Sequence, residues 1–214
     1  MDIELYKQNE AQALIDHIVT KEEIVSHEFF RKKITEETTT LMPLYKLMVD
    51  LAVKIGATSV LDIGCVVGQE YDVFKKYAPE IKYTGIEIKQ EYVEQGLKVN
   101  PEADYRKVDS YLTLPFKDNE FDVVTLRSVL RHYYPIHGYQ IIEEALRVSK
   151  IGIMVNFGNP PAEMDYLAEA RNNVILEKNT TFIWNRDEFY KFLNGKVWKV
   201  FNWSGNSELY LVRK

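Results

Sequence analysis

The stretch from Ser59 to Glu70 reads SVLDIGCVVGQE, and it decides the fold of this chain. It opens with an apolar run typical of a buried strand, passes through Gly64 and Gly68, and enters a segment of helical character. Strand, glycine turn and helix in this order open many nucleotide-binding sheets. The centre of the turn, however, holds Val66 and Val67, where a site approached closely by a ligand often has another glycine. The stretch therefore predicts a ligand-binding turn and leaves the ligand open.

The residues after Thr58 alternate between short apolar strands and helical segments. The predicted strands are TSVLDI, KYTGIEI, ADYRKVD, FDVVTL and IGIMVNF, and the predicted helices are EYDVFKKYA, QEYVEQGLKV and GYQIIEEALRVS. This alternation predicts parallel β-α-β units with helices on both faces of one sheet, an α/β fold of three layers. After the helical segment RDEFYKFLN, the strands KVWKVFNW and SELYLVR are separated only by SGN. Such a tight connection predicts an antiparallel C-terminal hairpin.

The N-terminal part has a different pattern. Thr20 and Glu23 have the spacing of a capping box, which predicts a helix start. A second helix is indicated by a stripe of apolar residues at helical spacing, and Gly56 is a suitable stop. The members of the stripe are Leu41, Leu44, Met48, Leu51 and Ile55. We therefore divide the chain into a helical N-terminal region, residues 1–56, and a single globular domain, residues 57–214.

Composition excludes several function classes. The 214 residues carry a net charge of −5, which argues against a nucleic-acid partner, and the short basic run FFRKK suits a solvated helix face. We find no apolar run of membrane-spanning length and no signal peptide at the start MDIELYKQNE, so no membrane partner is expected. The single cysteine, Cys65, allows neither an intrachain disulfide nor a cysteine-based zinc cluster, and it fits a cytoplasmic location. Four scattered histidines lack ligand spacing, so no metal is expected.

Acidic residues end three successive predicted strands. Asp62 lies beside the glycine turn, where it would repel a pyrophosphate and attract a cationic ligand. Glu87 follows Gly68 by 19 residues, a position from which a carboxylate accepts hydrogen bonds from ribose hydroxyls. Asp109 ends the third strand, where it can accept from the exocyclic amine of adenine, and Ile88 offers an apolar face to the purine. These residues together predict an adenosine with a cationic, zwitterionic tail.

At this point the sequence resembles the class I S-adenosylmethionine-dependent methyltransferases. The resemblance rests on VLDIGCVVG, YTGIEI, VDSYLTLPFKDNEFDVVTLRSVLRHY and the final hairpin, and it covers roughly Thr58 to Phe157. It implies a seven-stranded sheet with six parallel strands and one antiparallel strand, and an N-terminal helical region that acts as a lid over the site. It also implies S-adenosylmethionine as cofactor and S-adenosylhomocysteine as product. The small size of the chain and the lack of a basic face for RNA favour a small-molecule acceptor, methylated on O or N, and we expect a monomer or homodimer.

The resemblance assigns roles to individual residues. Gly64, Cys65 and Gly68 would line the methionine part of the cofactor, with Asp62 beneath it. Glu87 would bind the ribose and Ile88 would pack on the adenine. Asp109 with Ser110 would read the adenine edge.

Four positions leave alternatives open. Val66 stands where the family often has glycine, so one alternative is a protein that kept the shape and lost cofactor affinity or turnover. A methyltransferase that acts on a protein or RNA partner is a separate alternative. Arg127 ends the fourth strand and suits bidentate binding of a carboxylate, either the cofactor's or the substrate's, or else a surface salt bridge. His132 and His137 suit packing better than general-base catalysis, and no catalytic residue is assigned.

Overall fold

The computed structural model describes residues 21–38, 41–157, 166–168, 181–204 and 207–214. Residues 1–20 of the predicted helical region, including the capping residue Thr20, lie outside this part of the chain. The helices are α1 (Lys21–Thr35), α2 (Met42–Lys54), α3 (Gln69–Tyr77), α4 (Gln90–Val99), α5 (Pro135–Val148) and α6 (Arg186–Leu193). The strands are β1 (Ser59–Ile63), β2 (Lys82–Glu87), β3 (Asp104–Lys107), β4 (Phe121–Arg127), β5 (Ser149–Asn156), β6 (Tyr166–Ala168), β7 (Thr181–Ile183), β8 (Val197–Ser204) and β9 (Ser207–Arg213).

Seven of these strands form one mixed sheet in the order β3-β2-β1-β4-β5-β9-β8. The strands from β3 to β5 pair in parallel, β9 is antiparallel to β5, and β8 is antiparallel to β9. Six strands therefore run one way and β9 runs the other, which confirms the predicted sheet with its antiparallel C-terminal hairpin. Two features were not predicted: a separate two-stranded sheet of β6 and β7, and a 3₁₀ helix at Leu130–His132.

Helices cover both faces of the sheet because alternate strand residues point to opposite faces. Leu61 and Ile63 of β1 pack with Ile141 of α5 and Phe189 of α6 on one face. Val60 packs on the other face, in a cluster that includes buried residues of α2, α3 and α4. The same alternation puts the polar residues of β1 and β4 under α3, which matters for the site below.

The N-terminal helices agree with the sequence pattern where they are described. Leu44, Met48 and Leu51 of the predicted stripe are buried in α2, and Gly56 follows the helix in a left-handed conformation with φ of 75°. The N–H of Gly56 donates to the carbonyl of Val53, so the glycine supplies the predicted stop.

Helix α1 lies against the first turns of α3 and the side of α4. Arg31 Nη2 donates to Asp72 Oδ1 at 3.0 Å, and the two side chains form a largely buried ion pair. Gln95 donates to Glu28, and the ring of His27 meets that of Tyr92 edge-on at 5.2 Å. Since α3 begins at the glycine turn, α1 is fixed next to the carboxyl edge of the sheet. None of the described helices is long and apolar enough to cross a membrane.

Candidate cofactor and acceptor site

The glycine turn between β1 and α3 is tied to β2 by its backbone. The N–H groups of Gly64 and Cys65 both donate to the carbonyl of Ile86, at 2.9 and 3.1 Å, and the N–H of Gly68 donates to the carbonyl of Cys65. Three residues of the turn have left-handed backbone angles: Gly64 with φ of 77°, Val66 with φ of 51° and Gly68 with φ of 86°. The valine at the centre thus occupies a conformation that a β-branched residue adopts only with strain.

Both glycines also lie where a side chain would collide with a neighbour. A Cβ on Gly64 would lie 2.5 Å from Cγ2 of Val129, in the segment after β4. A Cβ on Gly68 would overlap the hydroxyl of Tyr105 on β3. The turn is therefore packed against the ends of two other strands, and its shape depends on glycine at both ends.

Glu87 ends β2 with its carboxylate buried beside this turn. Oε1 accepts from the N–H of Ile88 at 2.7 Å, from the N–H of Lys89 at 3.2 Å and from the hydroxyl of Tyr111 at 3.1 Å. Oε2 accepts from the N–H of Val66 at 3.3 Å. Burial raises the pKa of Glu87, although these hydrogen bonds oppose the rise. Because each carboxylate oxygen has about two lone-pair sites, Oε2 retains acceptor capacity toward a hydroxyl.

The predicted adenine-binding residues lie at the surface. β3 ends at Lys107, two residues before Asp109, whose side chain is 95% exposed and pairs with Lys107. Ser110 Oγ accepts from the N–H of Leu112 at 3.0 Å, which fixes the loop that follows. Ile88 is half-buried at the edge of the core and keeps an exposed apolar face.

Asp62 and Glu70 form a buried acid pair beneath the turn. Asp62 is 3% exposed and accepts from Tyr83 and, at 3.4 Å, from Thr125. Glu70 is 1% exposed, and neither of its oxygens has a hydrogen-bond partner among the described residues. Burial, with the repulsion of Asp62 second, raises the pKa of Glu70 well above its usual range. Burial likewise raises the pKa of Asp62. Burial and mutual repulsion therefore favour the protonated form of these two acids over the double anion.

Arg127 faces this pair and not the exterior. It lies two residues after Thr125 on β4, and Thr125 is the register partner of Asp62, so all three point to the α3 side. Its Nη2 donates to Gln69 Oε1 at 2.7 Å, and its guanidinium lies 4.8 Å from the ring centre of Tyr45. Burial opposes charge on Arg127, but Tyr45, Glu70 and Asp62 together raise its pKa.

Gln69 connects Arg127 to helix α1. While its Oε1 accepts from Arg127 and, at 3.3 Å, from Tyr45, its Nε2 lies 3.3 Å from Nδ1 of His27. An amide N–H donates to an imidazole nitrogen only when that nitrogen is unprotonated. Burial lowers the pKa of His27, and the positive charge of Arg127 lowers it further. The three side chains thus join β4, α3 and α1 at the carboxyl edge.

Cys65 is buried with its side chain against Gly85 of β2, where an added Cβ would lie 2.8 Å from Sγ. Burial raises the pKa of its thiol well above the usual value. Only the backbone of Cys65 therefore remains to line a ligand.

His132 is exposed and His137 is half-buried. Within the described residues, no group of three His, Cys, Asp or Glu side chains is arranged to hold a metal ion.

The residues at this edge fit the cofactor that the sequence analysis implies. Two carboxylates, on Glu87 and Asp109, follow successive parallel strands, and Glu87 keeps acceptor capacity on Oε2. Such a set favours ribose hydroxyls, an exocyclic amine and positive charge over phosphate. Glu87 and Asp109 would hold the adenosine, and the Gly64–Gly68 turn would border the methionine. When bound, the cofactor supplies an electrophilic sulfonium methyl group.

Comparison with known proteins supports this interpretation. Residues 61–155 match the family described as Methyltransferase domain. An uncharacterized methyltransferase of Schizosaccharomyces pombe is 35% identical over 83 residues, a match that covers 34% of this chain and 30% of that protein. The matched part thus spans less than a third of this curated relative.

Two solved structures show the same fold at low identity. The PH0226 protein of Pyrococcus horikoshii OT3 has a TM-score of 0.61 at 17% identity, covering 81% of this chain and 88% of that one. The magnesium protoporphyrin IX methyltransferase ChlM of Synechocystis PCC 6803, crystallised with bound SAM, has a TM-score of 0.57 at 13% identity, covering 93% and 86%. The match over residues 61–155 identifies a methyltransferase domain in this chain, and its sheet agrees with the fold of the two solved structures.

Several residues of the site were missed by reasoning from sequence. The contact of Tyr111 with Glu87 and the bridge of Gln69 between Arg127 and His27 join segments far apart in the chain. Glu70 lies close to Asp62 in the sequence, within the same glycine-turn stretch. For Glu70 a sequence signal existed. An acid in the first turn of a helix that follows a strand and a glycine turn lies close to the end of that strand. The others had none.

Proposed function

We propose that this protein transfers the methyl group of S-adenosylmethionine to O or N of a small-molecule acceptor. The observation that carries the proposal is the carboxyl edge itself: a glycine turn after β1, Glu87 after β2 and Asp109 after β3, in the order that an extended adenosine cofactor needs. Gly64, Cys65 and Gly68 border its methionine part, Asp62 contributes negative charge from below, Ile88 packs on adenine, and Ser110 supports Asp109.

The chain's residues align the reactants, since an in-line displacement needs nucleophile, methyl carbon and sulfur on one line. The Gly64–Gly68 turn, held by the carbonyl of Ile86, fixes the sulfur end. The segment after β4, packed on Gly64 through Val129, borders the side from which an acceptor approaches. A small acceptor is favoured by the net charge of −5 and by the likeness to ChlM, a magnesium protoporphyrin IX methyltransferase.

We infer that residues 1–56 act as a lid on the domain of residues 57–214, because α1 contacts Gln69 and Tyr92 beside the turn. A cytoplasmic location is expected because the one cysteine is free and buried. A monomer or homodimer stays the expected assembly.

Isothermal titration with S-adenosylhomocysteine tests the cofactor part, and release of S-adenosylhomocysteine from S-adenosylmethionine in an acceptor screen tests turnover. We expect a single site and turnover with at least one small acceptor. A cofactor-shaped scaffold without turnover is the second candidate, favoured by the four hydrogen bonds that Glu87 already accepts from the protein. Binding without turnover on small molecules, proteins or RNA would support the scaffold. Absence of binding would overturn both.

A further inference from the structure

Arg131 is a half-buried cation in the 3₁₀ helix that follows β4. Its Nε is buried without a hydrogen bond, and no described residue forms an ion pair with its guanidinium. Burial lowers the pKa of Arg131, and no neighbouring acid offsets the shift. Burial of Nε without a partner in a half-desolvated guanidinium is unfavourable, and an anion from outside the described chain would compensate this charge.

Arg127 differs from Arg131 because its positive charge already has partners in the described chain. Arg127 donates to Gln69, lies over Tyr45 and faces two buried carboxyl groups, so its charge is already compensated. Arg131 comes four residues later and has none of these contacts. Of the two arginines, Arg131 is therefore the one whose Nε has no partner among the described residues.

The position of Arg131 relative to the glycine turn connects it to methyl transfer. Val129, two residues before Arg131, packs directly on Gly64. Leu130, which lies between Val129 and Arg131 in the sequence, is buried. The carbonyl of Leu130 accepts from Nε1 of Trp184 at 3.2 Å, and the N–H of Tyr133 donates back to that same carbonyl. The backbone that carries Arg131 is thus held firmly beside the place where the methyl group would be presented.

The local field adds to the positive charge. Helix α5 begins at Pro135, four residues after Arg131, has no acidic residue in its first turn and has no side-chain cap. Its N-terminal dipole therefore adds positive potential in the same segment. One guanidinium balances one negative charge and matches the two oxygens of a carboxylate in a planar pair, whereas a phosphate dianion needs more cations than this segment offers.

We propose that Arg131 binds a carboxylate on the methyl acceptor, which makes the acceptor a small organic acid. This rests on the proposed function, because it places the acceptor in the site bordered by the Gly64 turn. The guanidinium would position the acceptor and take no part in the displacement itself.

The test is titration of the full chain, with and without S-adenosylhomocysteine, against acetate, butyrate and benzoate and against their uncharged primary amides. We expect at least one carboxylate to bind and its amide to bind about ten-fold more weakly or worse. Arg131→Gln should weaken carboxylate binding by a similar factor, and Arg131→Lys should restore part of it. Arg106→Gln removes the same charge from an exposed, Asp104-paired site on β3 and should bind as the wild type does.

The outcomes separate the two proposals. Binding of S-adenosylhomocysteine without discrimination between carboxylates and amides, or equal carboxylate affinity in Arg131→Gln and wild type, overturns the inference and leaves the methyltransferase function standing. Failure of every carboxylate to bind the wild type overturns it as well. Carboxylate binding that depends on Arg131 in a protein that takes no S-adenosylhomocysteine supports an anion site and overturns the proposed function.

Discussion

At the residue scale, Glu87 decides whether the cofactor assignment holds. We expect Glu87→Ala to weaken S-adenosylhomocysteine binding by about ten-fold or more, because a charged acceptor of hydroxyl hydrogen bonds contributes about 1.5–3 kcal/mol. The same change also frees the N–H groups of Val66, Ile88 and Lys89. Tyr111→Phe is the matched control, since it removes one hydroxyl donor from Oε1 and leaves Oε2 untouched. Calorimetry that gives both variants the same affinity would contradict a ribose role.

The buried acid pair gives a second prediction at this scale. The folded-state pKa of Glu70 is raised above its ordinary value of 4.5, so the folded protein binds more protons than the unfolded chain above that pH. At acidic pH Glu70 is protonated in both states and costs no stability. As pH rises above about 4.5, the unfolded chain loses this proton first, so the free energy of unfolding falls. We expect Glu70→Gln to gain about 1 kcal/mol over wild type at pH 8 and less at pH 5, by urea unfolding. The exposed Glu80→Gln variant, measured alongside, is the control for loss of one carboxylate at a surface site.

At the scale of elements, the glycine turn is strained, because Val66 has a left-handed backbone conformation at a position where glycine is common. Val66 has φ of 51°, which costs a non-glycine residue about 1–2 kcal/mol, while glycine loses about 0.4–1 kcal/mol through the entropy of the unfolded chain. We expect Val66→Gly to raise the free energy of unfolding by about 0.5–1 kcal/mol. Gly64→Ala should lower it, because its Cβ meets Val129. Thermal unfolding that ranks the two variants the other way would show that the turn has different backbone angles.

The elements themselves were predictable to different degrees. Periodicity and glycine positions predicted the strands and helices around the turn, and strand ends placed Asp62 and Glu87 at one edge. The left-handed angle of Val66 was not predictable, because it follows from closure of the turn onto the carbonyl of Ile86. The direction of Arg127 was predictable in principle, since alternation along β4 puts it on the face of Thr125. Its partners Gln69 and Tyr45 come from distant segments, which no local pattern reveals.

At the scale of the whole molecule, the carboxyl edge is where long-range contacts converge. Arg127 of β4, Gln69 of α3 and His27 of α1 form one connected polar chain, and Arg31 anchors α1 to Asp72 further along α3. The sheet alone defines a turn and a row of acids. Helix α1 borders the site at the start of α3, where His27 contacts Gln69. This arrangement supports the proposed lid.

The docking of α1 is sensitive to pH, because His27 accepts a hydrogen bond from Gln69 only in its neutral form. Burial and Arg127 lower the folded-state pKa of His27 below its ordinary value of 6.5, with Glu23 opposing them in part. The unfolded or undocked chain therefore binds more protons near this pH. The contribution of His27 is present above about pH 6.5 and is lost as pH falls toward the lowered pKa.

We expect amide hydrogen exchange in α1 to speed up in the wild type between pH 7.5 and pH 5.5, after correction for the intrinsic pH dependence of exchange, and to change less in His27→Gln. Arg31→Gln is the control, because it removes the ion pair to Asp72 and should loosen α1 by the same amount at both pH values. S-adenosylhomocysteine affinity, measured in parallel, should fall with α1 protection if the helix acts as a lid. Unchanged affinity with faster exchange would separate α1 from the site and leave it a packing element of the fold.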